Sequence, residues 1–402
     1  MNGGTRLRLA RQARGFSQQQ LAGMAGVSRQ AVSAVESGQS DPSLRAALAL
    51  AEALGMSVEE LFGGEGAAPV VSARLLGGPG EAGGAGEAGQ AGEAGEAGWA
   101  GARVTLAPVG ASFVALPLAG PAVSRAGFLP AGGLLTGGPA GAATARAATA
   151  GAARTVAVQP IGPPRPTLVV AGCDPALPLL AEPLSLLDPP VAFSWWPCSS
   201  GAALRLAAAG LVHAAGVHLR DRDGNYNTAA AAELLPGGAE VFGFGGWREG
   251  LVLHPAVADR VDGVADVARH GLRLVNREPG AEARRVLDNE LARSGISRSQ
   301  VTGYETRAAG HLQVAEAIAA GLAEAGVACE PAARAYGLAF VPLTVERFDL
   351  IIPAAVATSR EALALLKVLS SRWLIDQLAS LPGYDPASCG LHVSTLPSAE
   401  GA

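Results

Sequence analysis

Arg29 and Gln30 stand together, with Ser28 before them and Ser33 and Ala34 one helical turn further on. A forked guanidinium, a side-chain amide and short hydroxyls on one helix face suit the donor and acceptor pattern of base-pair edges in a DNA major groove. Chemistry of another kind lies in the second half of the chain. Cys173-Asp174, Ser199-Ser200 and Asn276-Arg277 each end a strand-like apolar run and open a helix-like one. Free backbone N–H groups at a helix start, joined by hydroxyls or a guanidinium, make an anion cradle. Three such junctions at the carboxyl ends of strands could converge on one cleft. His213, His218 and His311 have spacings that match no common ligand pattern, so no metal site is expected. The four cysteines, 173, 198, 329 and 389, form no CxxC pair and read as free thiols. Cys173 stands beside Asp174 with histidines only at a distance, and without a base shown nearby in space the chain is not expected to be an enzyme.

The DNA-facing residues need a frame. Residues 17–37 read as two short helices around a Gly-centred turn, with Leu21, Ala22, Met24, Val27, Val32 and Val35 where crossing helices touch. Leu44, Ala47, Leu48, Leu50, Ala51 and Leu54 recur at helical spacing after the Ser43 cap, and a short helix follows Ser57. Five helices in residues 1–63 make an all-α module. Its first 45 residues hold six arginines (6, 8, 11, 14, 29, 45) against Glu36 and Asp41, although the whole chain of 402 residues carries a net charge of −5. A local cationic excess suits a phosphate backbone that the chain as a whole would repel.

Glycine falls at every third position from Gly80 to Gly101, between Glu, Ala and Gln residues. Without proline this is no collagen, and 64–101 reads as a flexible Gly/Ala/Glu linker. Residues 102–160 read as a small β-rich connector with a low-complexity segment. From Thr167 onward strand and helix patterns alternate, which predicts an α/β domain with mostly parallel strands over 165–396. The strand-like runs include 239–245, 251–254, 301–304, 338–345 and 348–353. No apolar run approaches the ~20 residues of a membrane span, and the N-terminus lacks a signal pattern. A cytoplasmic protein without membrane contact is expected.

Two resemblances add to this reading. Leu7-Arg8-x-x-Arg11, Phe16-Ser17-Gln18, Leu21-Ala22, Gly26-Val27-Ser28-Arg29, Val32-Ser33, Glu36-Ser37-Gly38 and Pro42-Ser43-Leu44 resemble the Xre/Cro-type helix-turn-helix family. The resemblance implies that Gln18 and Ser43 bond phosphates through helix N-termini, and that Arg29 and Gln30 reach bases beside Ser33 or Ala34. Ser17 and Ser28 complete that set. It also implies a homodimer on a near-palindromic stretch of double-stranded DNA.

The second runs through Gly172-Cys173-Asp174-Pro175, Ser199-Ser200-Gly201, Ala214–Leu219, Asn225-Tyr226-Asn227, Asn276–Gly280, Gly303-Tyr304, His311-Leu312 and Tyr384-Asp385. In this order they are similar to the periplasmic-binding-protein-like (type II) domain fused to bacterial helix-turn-helix regulators, a relative of molybdate- and tungstate-binding proteins. It implies two lobes closing on a ligand about crossings near 246–252 and 340–346. Cys173, Asp174, Ser199, Ser200, Asn225, Tyr226, Arg277, Arg284 and His311 would be the ligand-binding residues. The effector implied is an oxyanion, molybdate or tungstate, with no cofactor required. Where the oxyanion-binding relatives carry Gly-Ser-Gly-Thr-Arg, this chain has Gly280-Ala281-Glu282-Ala283-Arg284. That change would suit a ligand with an amine or hydroxyl to meet Glu282. The combined expectation is a multidomain one-component transcriptional regulator with a small-molecule effector. The alternative is a small-molecule-binding or scaffold protein whose helix-turn-helix is not sequence-selective.

Overall fold

The computed structural model describes residues 3–62, 69–76, 101–118, 129–136, 154–221 and 224–398. The chain divides into two compact units, Met1–Val70 and Val71–Ala402.

The first unit is helical: α1 (Gly3–Ala13), α2 (Gln18–Ala25), α3 (Arg29–Glu36), α4 (Leu44–Leu54) and α5 (Val58–Leu61). The serines before α2, α3 and α4 start them, because Ser17, Ser28 and Ser43 each accept a hydrogen bond from the backbone N–H three residues on. Gly26 ends α2 in the left-handed region at φ 63°, where a side chain would be strained. Leu7, Leu21, Val32, Val35, Leu50, Leu54 and Leu61 close the core between the helices. Met24, expected in that contact, is 55% exposed instead. It lies three residues from Leu21, beyond the stripe that α3 and α4 cover.

The second unit begins with a closed barrel of β1 (Val71–Leu75), β2 (Arg103–Val109), β3 (Ser112–Pro117), β4 (Gly133–Leu135) and β5 (Arg154–Pro160), in the order β1-β3-β2-β4-β5. The β-rich reading of 102–160 misses one strand, because β1 comes from the segment read as linker. Val71, Ala73 and Leu75 alternate with Ser72 and Arg74, a half-buried strand whose period of two was hidden beside the glycine run. Other parts of 64–101, including most of the glycine run, lie outside the described residues. Leu76, Ala107, Val109, Val114 and Leu116 of the barrel share one core with Val169, Ala171 and Trp196 of the following domain.

That domain is built on a sheet in the order β11-β10-β12-β9-β13-β8-β6-β7. Its strands are β6 (Thr167–Gly172), β7 (Ala192–Pro197), β8 (Ala214–Val217), β9 (Ala239–Leu253), β10 (Leu274–Arg277), β11 (Arg307–Ala308), β12 (Ala325–Cys329) and β13 (Ala339–Pro353). β14 (Tyr384–Asp385) and β15 (His392–Leu396) add to β9. β6, β7 and β8 pair in parallel, as do β10, β11 and β12. β9 and β13 run antiparallel to each other and to β12 and β8 respectively. The mostly parallel sheet expected from the sequence is therefore a mixed one. The reason is that β9 and β13 are single 15-residue strands passing between two parallel halves, not four short strands. Glycines 243, 245, 246 and 250 gave β9 the look of a break. At Gly245 the glycine makes room, since a Cβ there would run into the Tyr384 ring. The 301–304 run is a turn that follows a short 3₁₀ turn: Val301 packs inward, and β10 touches the run through the Leu274 N–H, which donates to the Thr302 carbonyl.

Candidate functional site

In the helical unit, Arg29, Gln30 and Ser33 are exposed along α3 and Ala34 is half-buried. The other DNA-facing residues expected from sequence are partly engaged within the unit. The Ser17, Ser28 and Ser43 hydroxyls cap their helices. The Gln18 amide donates to Glu36 at 2.8 Å. Arg11 grips the same carboxylate through two N–H groups at 2.6 and 3.0 Å and donates to the Phe16 carbonyl. Burial opposes the charge on Glu36, but Arg11 and Gln18 outweigh it and hold the carboxyl below its ordinary range.

In the second unit, the ends of β6 and β8 meet the middles of β9 and β13. Antiparallel partners share a sheet face. Trp247 pairs with Glu346 and Glu249 with Thr344, so Trp247, Glu249 and Glu346 project to one side. His218, just past β8, and Cys173, just past β6, meet there with Sγ and Nε2 3.1 Å apart. The His218 ring lies 5.2 Å from Trp247 and 6.2 Å from His311 between centroids. All of these side chains are buried. His218 Nδ1 is 3.6 Å from Glu346 and His311 Nδ1 is 3.9 Å from Glu249, both beyond hydrogen-bond reach. Among the described residues, no hydrogen bond reaches His218 Nδ1, Trp247 Nε1, either Glu249 oxygen, Glu346 Oε2 or His311 Nε2. So many orphaned polar atoms in one place is unusual for a folded interior, where buried polar groups are almost always bonded.

The electrostatics of the cluster are mixed. Burial opposes a charged His218, yet Cys173, Glu346 and Glu249 raise its pKa well above the usual value. Burial, reinforced by Glu346, pushes Glu249 up to about 7. Burial likewise lifts Asp174 to about 6, against the pull of the Tyr384 hydroxyl and the Ala176 N–H. His311 is lowered well below its usual value, first by burial and then by Arg277 and His218.

Of the residues expected at the ligand, the structure brings Cys173 and His311 into this cluster. Asp174 is wholly buried and takes the Tyr384 hydroxyl at 2.6 Å. Ser200 accepts the His218 backbone N–H at 3.1 Å, whereas Ser199 is half-buried at the helix start. Arg277 is buried, and Glu278 takes two of its N–H groups at 2.8 and 3.0 Å. Arg284 donates to the Arg277 carbonyl and lies over the Tyr304 ring, supporting the end of β10. Asn225 is exposed and bonded to Asp221, and the Tyr226 hydroxyl donates to the Val345 carbonyl. Their neighbour Asn227 is the buried one, at φ 66°, joining the Leu219 N–H to Asp349.

Sequence reasoning missed His218, Trp247, Glu249 and Glu346. Both carboxylates sit at inward positions of apolar-alternating strands, and that polar residue on a core face was the available signal. His218 was set aside on spacing alone, although it follows a fully apolar strand. Trp195 donates to the Gly172 carbonyl and packs against the core.

Residues 7–61 match the helix-turn-helix family and residues 181–370 match the PBP superfamily domain. The chain thus joins an Xre-type helix-turn-helix domain to a domain of the PBP superfamily. It is 28% identical over 179 residues to the uncharacterized protein YvgK of Bacillus subtilis strain 168, and the match takes in 43% of this chain and 56% of that relative's length. The restriction-modification controller protein C.AhdI from Aeromonas hydrophila is 47% identical, over 15% of this chain and 91% of that one, with a TM-score of 0.15. The tungstate binding protein TupA from Desulfovibrio alaskensis G20 is 14% identical, over 56% of this chain and 99% of that one, with a TM-score of 0.40. No helix among the described residues is long and apolar enough to cross a membrane.

Proposed function

We propose that this chain is a cytoplasmic one-component transcriptional regulator. Its helical unit binds operator DNA as a homodimer on a near-palindromic site, and its PBP superfamily domain holds a small effector in the buried cluster between β9 and β13. The observation that carries the reading is the exposed Arg29, Gln30 and Ser33 face on a helix whose opposite side is locked into the core by Val32, Val35 and Glu36. Such a helix has its reading face free and its orientation fixed.

For the effector, charge decides between classes. Arg277 already satisfies Glu278, while Glu249 and Glu346 have acceptor oxygens without donors. This arrangement favours a cation-bearing effector over molybdate or tungstate. A gel-shift on DNA from upstream of the coding sequence tests the regulator. Binding of one fragment over others at moderate salt supports it, and no shift of any fragment with or without effector overturns it. A thermal-shift screen with molybdate, tungstate, small amines and divalent cations tests the effector class. Stabilisation by the oxyanions alone would reverse the charge argument.

A further inference from the structure

We propose that His218 Nδ1, Glu249 and Glu346 form a binding site for one divalent first-row transition-metal ion. This names the effector's chemistry and so rests on the reading of the buried cluster as the sensing site. The three ligand atoms lie within 4.8 Å of one another. A bond length near 2.1 Å sets ligand atoms about 3 to 4.2 Å apart around an ion, and His218 Nδ1 is 3.6 Å from Glu346. All three side chains are at most 2% exposed. His218 Nδ1, both Glu249 oxygens and Glu346 Oε2 have no hydrogen-bond partner. Buried carboxylate oxygens without donors are neutralised by a proton or by a cation, and an ion facing Glu249 and Glu346 would take the place of the proton. One imidazole with two carboxylates is a borderline-to-hard donor set of the kind that takes manganese, iron, cobalt or zinc.

A second layer fixes the first. Cys173 Sγ sits 3.1 Å from His218 Nε2 and orients the ring; with the proton on Nε2 and the sulfur accepting it, Nδ1 faces the ion, which binds by displacing any proton held there. Cys173, His218 and His311 also lie within 4.8 Å of one another. His311 Nδ1, however, accepts the Cys329 backbone N–H at 3.2 Å, so its other ring nitrogen carries the proton and cannot ligate. Glu249 and Glu346 belong to the two strands that pass between the halves of the sheet, and His218 ends a strand of one half. A bound ion would tie these three segments together.

The test uses the full chain, stripped with a chelator and titrated separately with Co²⁺, Zn²⁺ and Mn²⁺. The expected result is one ion per chain, with visible cobalt d–d absorbance and no thiolate charge-transfer band in the near ultraviolet. Glu249→Gln and Glu346→Gln should each weaken binding at least a hundredfold. Their melting temperatures in chelator should equal or exceed the parent's, because each removes an unpaired buried charge. Failure of all three ions to bind, equal binding by the variants, or a thiolate band would each overturn the assignment. A small amine that stabilises the parent but not Glu249→Gln, where no metal binds, overturns the metal site and leaves the sensing cluster standing. Stoichiometric metal binding with unchanged DNA affinity supports the site and sinks the sensing role.

Discussion

Arg11 and Glu36 are joined by two parallel N–H···O contacts, at 2.6 and 3.0 Å, that tie α1 to the last residue of α3. Arg11 is one of the six arginines that make the N-terminal segment cationic, but its guanidinium faces inward. Arg11→Ala leaves a buried carboxylate unpaired, which should cost on the order of 3 kcal/mol. The expected outcome is a lower melting temperature for the helical transition of the full chain, with little change in the salt slope of DNA binding. A reduced salt slope at unchanged stability would show that Arg11 serves phosphate instead.

Arg29 and Gln30 carry the opposite expectation. Both are exposed, so Arg29→Ala should leave the melting temperature unchanged while lowering affinity for the preferred operator by about 1–3 kcal/mol. Competition between preferred and scrambled DNA checks it. Equal loss on both sequences would reassign Arg29 to backbone contact.

His213 supplies a pH dependence away from the proposed metal ligands. Its Nδ1 accepts the Val169 N–H, and burial lowers its pKa to about 4. A histidine held neutral in the fold contributes its full stability above the unfolded value near 6.5, and loses it as pH falls toward about 4. The contribution is on the order of 3 kcal/mol. His213→Asn keeps an acceptor for Val169 but does not titrate. The parent should therefore lose more stability than the variant between pH 6.5 and 4, and parallel curves would refute the assignment.

Tyr384 reaches Asp174 across the sheet, its ring lying over Gly245. Tyr384→Phe removes a donor from a wholly buried carboxyl and should destabilise the second unit by roughly 1–3 kcal/mol. Urea denaturation monitored by tryptophan fluorescence measures this, and a change under half that size would mean that water replaces the hydroxyl.

The helical unit was legible because its signals are local. Ser17, Ser28 and Ser43 cap helices whose apolar spacing names most of the core, with Met24, Leu44 and Leu48 falling on the exposed side. The second unit was legible in its parallel halves, where strands such as β7, β10 and β12 lead into a helix within a few residues. β9 and β13 were not, because glycines that admit Tyr384 resemble turn glycines until the partner is known. The cluster around His218 was illegible for the same reason. Glu249 and Glu346 are single acidic residues in distant strands, and only the β9–β13 register sets Glu346 opposite Trp247 on a shared face.

The barrel alters what the glycine-triplet run can do. Leu76 donates its N–H to Ala115 and Gly101 donates its own to Leu135, so the run leaves and re-enters the same barrel. The chain reaches the first barrel strand, β1, from the helical unit before that run begins, through residues 63–70. Gain or loss of whole triplets, the usual error of copying a short repeat, would change a closed loop at roughly 0.6 kcal/mol per doubling of length. Drift in repeat number should therefore leave the melting temperature of the second unit nearly unchanged.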